Sequence, residues 1–251
     1  MRAAEAAPLA SVDVSRRLAA AYDALMPDST DWAAETEARL LDAALPLAPT
    51  LGWTSTLVRK AGAAIGLTPE EAELLLPSGP RDLAALYSYR CDEAAMAALQ
   101  GIDPQALKVR ERIAQAVEAR VEAAMAEEAA TRRLTGFLCL PHNLALGARL
   151  GWDSADRIWR WAGDVSADEN HFSKRAILAA LLGSTLAVRL ANPPAGARRH
   201  LERGIEAVMA YEKAKGRLGG RGLASAAAQA LGRMRYGPRA AEAEDAPATP
   251  A

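Results

Sequence analysis

Apolar residues recur along this chain at the three-to-four-residue spacing of one helix face. Between Trp32 and Leu51 the inward set is Ala38, Leu41, Ala44, Leu45 and Ala48. Pro46 and Pro49 should loosen the last turns, and Gly52 should end the helix as a left-handed cap. A second helix is predicted from Thr56 to Ile65, with Leu57, Ala61, Ala64 and Ile65 inward and Gly66 as its stop. Thr68, Pro69 and Glu71 then form the start signal of a short third helix: an N-cap threonine, proline at the first position and a capping-box glutamate. That helix should end near Pro77-Ser78-Gly79-Pro80, and a fourth should run from Arg81 to about Leu99.

Beyond Gly101-Ile102-Asp103-Pro104 the pattern predicts a larger helical region. Gln105 to Ala130 reads as one long helix, with Val109, Ile113, Ala116, Val117, Ala124 and Met125 at core spacing. Thr131 to Leu150 holds one or two helices interrupted at Pro141, and Asp153 to Ala162 a short helix carrying tryptophans. Ala167 to Leu190 is nearly all apolar in its second half and should be central. Its uncharged stretch, Ala176 to Val188, is too short to span a membrane. Asn192-Pro193-Pro194 should break it. A helix from Arg198 to about Lys213 follows, then a hinge at Gly216, Gly219, Gly220 and Gly222, then a last helix from Leu223 to Arg235. The fold class is all-α. The expected division is a partly disordered extension over 1–30, a helix-turn-helix-like unit over 31–101 and a larger helical region over 102–214. A hinge with an amphipathic helix then covers 215–236, and a disordered tail 237–251.

Composition agrees with this reading. Hydrophobic residues make up 51% of the 251 and aromatics only 5%, and the abundant alanine favours helix. Charged residues at 24% suit a globular chain. A net charge of −1 and a pI near 6.3 argue against a nucleic-acid binder. Cys91 and Cys139 share no metal or redox spacing. The N-terminal stretch is interrupted by Asp13, Arg16, Arg17 and Asp23, so no secretory core is read there. A cytoplasmic setting with reduced thiols is expected.

The first four helices have the order of a helix-turn-helix. Leu41-Asp42-Ala43-Ala44-Leu45 followed by Gly52-Trp53 resembles the first helix of tetracycline-repressor-type regulators. The chemistry of the third helix disagrees with DNA binding. It reads Thr68-Pro69-Glu70-Glu71-Ala72-Glu73-Leu74-Leu75-Leu76, three carboxylates with no base to meet phosphate or read a groove edge. Arg59 and Lys60 alone would add little affinity. A transcriptional regulator with an apolar effector is therefore the alternative reading, and a frame without DNA binding the main one.

Enzyme signatures are missing. His142, His171 and His200 are scattered, with no partner at ligand spacing. No nucleophile elbow, dinucleotide loop or P-loop occurs. No catalytic residue, metal or cofactor is expected.

Three separated stretches carry a more specific resemblance. They are Leu140-Pro141-His142-Asn143, then Trp159-Arg160-Trp161-Ala162-Gly163-Asp164, then Asp168-Glu169-Asn170-His171-Phe172-Ser173-Lys174-Arg175 with Ala176-Ile177-Leu178-Ala179-Ala180. Together with Gly52-Trp53-Thr54 they resemble the coenzyme Q biosynthesis protein nine family over about residues 35–235. The resemblance implies a tetracycline-repressor-like bundle that forms a homodimer, with an apolar cavity for an isoprenoid quinone intermediate or phospholipid. It implies an accessory role that presents such lipids to pathway enzymes, chiefly the di-iron hydroxylase, from a peripheral position on the inner membrane. The lipid-binding candidates are Leu144, Leu146, Ile158, Trp161, Ile177 and Leu181. The hydroxylase-facing candidates are Trp159, Asp168, Asn170, His171, Phe172 and Arg175. The family often shows two aromatics where this chain has His171 and Phe172.

The end of the chain adds a physical argument of its own. Lys213 to Arg239 holds seven bases and no acid. Leu223, Ala227, Ala230, Leu231 and Met234 share one helical face. That is the pattern of an interfacial helix drawn to anionic lipid, with Leu223, Leu231, Met234, Arg221, Arg233 and Arg235 as the membrane contacts.

Overall fold

The computed structural model describes residues 29–164 and 169–218, with side chains described over 32–164 and 171–210. Among these residues there are ten α-helices and two short 3₁₀ turns, with no strand. The first four helices are α1 (Ser29–Ala44), α2 (Ala48–Leu51), α3 (Ser55–Ala64) and α4 (Pro69–Leu75). The larger elements are α5 (Pro80–Ala98), α6 (Val109–Met125), α7 (Glu128–Leu138), α8 (Leu144–Trp161), α9 (Glu169–Ala191) and α10 (Pro194–Leu218). The 3₁₀ turns Pro104–Ala106 and Pro141–Asn143 precede α6 and α8.

Local signals explain the front end. The helix expected up to Leu51 breaks after Ala44, because Pro46 cannot donate the backbone bond that would continue it. Gly52 follows with φ +65°, a conformation that disfavours a side chain. Thr68 and Glu71 form the expected capping box: the Glu71 amide donates to Thr68 Oγ1 at 3.2 Å, and the Thr68 amide to Glu71 Oε2 at 2.8 Å.

Boundaries farther along the chain also differ from the sequence reading. The long helix expected over 105–130 stops at Met125, and a new one starts at Glu128. The break is held by side chains: the Tyr87 and Thr131 hydroxyls lie 3.2 and 2.6 Å from the Ala124 carbonyl, which helix α6 leaves unpaired at its end. Conversely, the short tryptophan helix is the second half of α8, which runs unbroken through Gly151. Helix α10 starts at Pro194 and continues through Gly216 to Leu218. Pro194 stands at the first helical position, where its missing N–H costs nothing. A single glycine such as Gly216 weakens a helix without ending it. The expected membrane contacts Leu223, Leu231, Met234, Arg221, Arg233 and Arg235, and the segments 1–28 and 219–251, lie outside the described residues.

The core has two main bodies. One joins α1, α3, α5 and α7 around Leu40, Leu41, Trp53, Leu57, Leu83 and Tyr87. Trp53 packs on Tyr87 with ring centroids 5.6 Å apart, and its Nε1 donates to the Ala130 carbonyl at 3.1 Å. This body includes Ala124, Ala130 and Leu134, so it crosses the boundary expected near residue 101. The second joins α6, α8, α9 and α10 around Val117, Ile158, Leu178, Leu182 and Leu201. Between them Arg120 donates to Asp92, to the Ser88 hydroxyl at 3.1 Å and to the Ser88 carbonyl, while Ser154 donates to Asp92 at 2.6 Å. Arg120 and Asp92 are both buried, so this pair ties α5, α6 and α8 through charge.

Candidate functional site: an apolar groove between four helices

The second body leaves a groove of about 180 Å³ open between α6, α8, α9 and α10. Helix α6 contributes Val109, Arg110 and Ile113, α8 contributes Trp159, α9 contributes Lys174, Ile177, Leu178 and Leu181, and α10 contributes Ile205, Val208 and Met209. Aliphatic side chains form the walls because each helix turns its three-to-four-residue stripe inward here. Ile205, Val208 and Met209 are such a stripe, and so are Lys174, Ile177, Leu178 and Leu181. Val109 at 53% exposure and Met209 at 58% mark the mouth. Large aliphatic groups left to water are the feature an apolar ligand would cover.

Gly204 of α10 faces Leu181 in the groove wall. An added Cβ there would stand 2.3 Å from Leu181 Cδ1, so the end of that side chain would have to shift. Trp159 is fixed in the wall by its Nε1, which donates to the Lys174 carbonyl at 3.2 Å. The Lys174 ammonium lies over the Trp159 ring, 5.3 Å from its centroid, and pairs with Asp164 at 2.8 Å.

Beneath that pair sits a charge cluster. Arg175 is only 2% exposed; it donates to Asp156 at 2.5 Å, to Asp164 at 3.2 Å and to the His171 carbonyl at 3.2 Å. It joins the end of α8 to the start of α9 across the turn at Gly163, whose φ is +86°. Arg175, expected on a partner surface, is therefore interior: two carboxylates from α8 and the following turn offset its loss of water.

The other candidates scatter. Ile177 and Leu181 line the groove, and so does Trp159, a partner-contact candidate in the sequence. Ile158 is packed inside the second core body, and Trp161 leans on it. Leu146 belongs to a separate small cluster with Ala85 and Leu150, and Leu144 is exposed. His171 and Phe172 are half-buried. Phe172 packs on Trp152 at 6.0 Å and on His171 at 5.2 Å. The backbone of Asn170 is helical, its side chain falls outside the described set, and Asp168 is outside it altogether. Sequence reasoning missed Arg110, Leu178, Ile205, Val208 and Met209 as groove residues. The 205-208-209 spacing was a usable signal. Which helices would face it was not.

The front end offers no nucleic-acid chemistry at α4: Glu70, Glu71 and Glu73 are exposed, and so is Leu74. No group of three metal-ligating side chains occurs among the described residues. No described helix is long and apolar enough to cross a membrane.

Fold and groove thus define an all-helical protein with a half-open apolar site on its C-terminal half. The family model described as COQ9 matches residues 144–212, which hold α8, α9 and most of α10 and hence most of the groove wall. The chain is 28% identical over 154 residues to the mitochondrial ubiquinone biosynthesis protein COQ9 of Bos taurus, covering 59% of this chain and 48% of the relative. The same figures hold for the Homo sapiens protein, and the Xenopus tropicalis protein is 24% identical over 163 residues, 62% of this chain and 51% of its own. By these matches the chain is similar to COQ9 proteins, most specifically over residues 144–212. It spans about half the length of the curated relatives it matches.

Proposed function

We propose that this protein is a lipid-binding accessory factor of ubiquinone biosynthesis, without catalytic activity of its own. It holds the tail of an isoprenoid quinone intermediate, or of a phospholipid, and presents the head to pathway enzymes such as the di-iron hydroxylase. The observation that carries this reading is the aliphatic groove of α6, α8, α9 and α10, most of whose wall lies where the family model matches. Polyprenyl tails stay in the bilayer, so an enzyme outside it needs a helper with an apolar site and a reversible membrane contact. Residues 221–235 supply the pattern for that contact, at the cytoplasmic face of the inner membrane. The tetracycline-repressor-like arrangement and the homodimer belong to the same proposal, as does a hydroxylase contact around Trp159, His171 and Phe172.

The test is organic extraction of the purified full chain followed by mass spectrometry. Near-stoichiometric isoprenoid or phospholipid is expected, and much less in Leu181→Trp, which fills the groove. A wild-type protein as empty as the filled variant would contradict the reading.

A further inference from the structure

One cation at the mouth of the groove has no counter-charge among the described residues. Lys174 is paired with Asp164 and covered by the Trp159 ring. Arg110 differs: it is exposed on the groove lining and makes no hydrogen bond or ion pair with a described residue. It occupies the second position of α6, in a first turn where the backbone N–H groups already favour negative charge. The acid of that turn is engaged: Glu111 accepts from the Lys108 amide at 3.0 Å. Arg112 is directed elsewhere, onto the Leu107 and Ala162 carbonyls and Gln105. A guanidinium, a helix N-terminus and the exposed aliphatic edges of Val109 and Met209 therefore converge at one opening.

We propose that the groove selects a single-chain amphiphile with an anionic head, carboxylate or phosphate, whose tail lies against Ile113, Ile177, Leu181 and Ile205 and whose head pairs with Arg110. The proposal rests on the lipid-binding reading and names the ligand class of that site. Two magnitudes favour it. The volume, about 180 Å³, is below the ~300 Å³ at which ordinary ligand pockets begin, so it suits a stretch of one chain. A guanidinium fork matches a carboxylate or phosphate with two parallel hydrogen bonds, which a neutral or cationic head cannot accept equally.

Isothermal titration calorimetry on the full chain tests this with four probes that share one tail: dodecyl phosphate, dodecanoate, dodecanol and dodecyltrimethylammonium. Each is used below its aggregation threshold. At low salt an anionic probe should bind on the order of tenfold tighter than dodecanol, as a charge-assisted hydrogen bond supplies, and the ammonium should bind most weakly. Arg110→Gln should remove the anion preference and leave dodecanol unchanged. Arg203→Gln, on the exposed side of α10, should keep the preference. A tighter phosphate points to a lipid phosphate as the natural head, and a tighter carboxylate to an isoprenoid acid. Equal binding of dodecanol and both anions by the wild type would overturn the head-group assignment while leaving the tail site in place. So would a preference that survives in Arg110→Gln. Failure of all four probes to bind would overturn it together with the lipid-binding reading.

Discussion

Asp92 and Arg120 show how much one residue can decide here. Both are buried, and they meet between the two core bodies, where Ser88 accepts from Arg120 and Ser154 donates to Asp92. Removing one partner leaves a charge without water or counter-ion, which typically costs about 3–5 kcal/mol, whereas replacing both by apolar groups is often near neutral. Arg120→Met should therefore lower the urea midpoint sharply, and Arg120→Met with Asp92→Leu should recover much of the loss. Burial also pushes up the Cys91 thiol, against a smaller opposing effect of Arg120, and the Tyr87 phenol. With folded values raised, the unfolded chain releases protons first as pH rises. Stability is thus complete below the ordinary thiol range and falls as pH climbs through it and on toward the raised folded value. Urea unfolding at pH 7, 9 and 10 should show this decline, and Cys91→Ala should make it shallower. An unchanged slope in that variant would mean that the thiol contributes nothing to it.

Helix order, the capping box at Thr68, the break at Asn192-Pro193-Pro194 and the central place of α9 were legible in the chain, because each depends on local spacing or on proline chemistry. The stop at Met125 was not. It depends on Tyr87 and Thr131 reaching one carbonyl from sequence positions far apart. The groove was legible only in part for the same reason. Ile177 and Leu181 stand out on a long apolar helix, but Arg110 and Met209 reach it through the packing of α6 and α10. Arg175 has the look of a surface residue in the sequence, but Asp156 and Asp164 flank it in the interior. Thr68→Ala should cost about 1 kcal/mol through loss of the cap, measurable by thermal unfolding. Gly204→Ala should push Leu181 into the groove, so amphiphile binding should weaken more than stability does. A variant that binds dodecanol as well as the wild type would show that this shift does not reach the groove.

In the molecule as a whole, charge is unevenly placed along the chain. Helix α4 exposes Glu70, Glu71 and Glu73 with no base, whereas the stretch from Lys213 to Arg239 holds seven bases and no acid. Removing residues 219–251 should abolish flotation with anionic liposomes while leaving the helical circular dichroism of the rest. Retained flotation would move the membrane contact elsewhere. The decisive measurement for the groove is photolabelling of the full chain with a diazirine-bearing isoprenoid, followed by peptide mapping. Labels on Ile113, Ile177, Leu181, Ile205 or Met209, lost in Leu181→Trp, are the predicted result. Labels confined to the Leu146–Leu150 cluster or spread over the surface, and indifferent to that substitution, would contradict it.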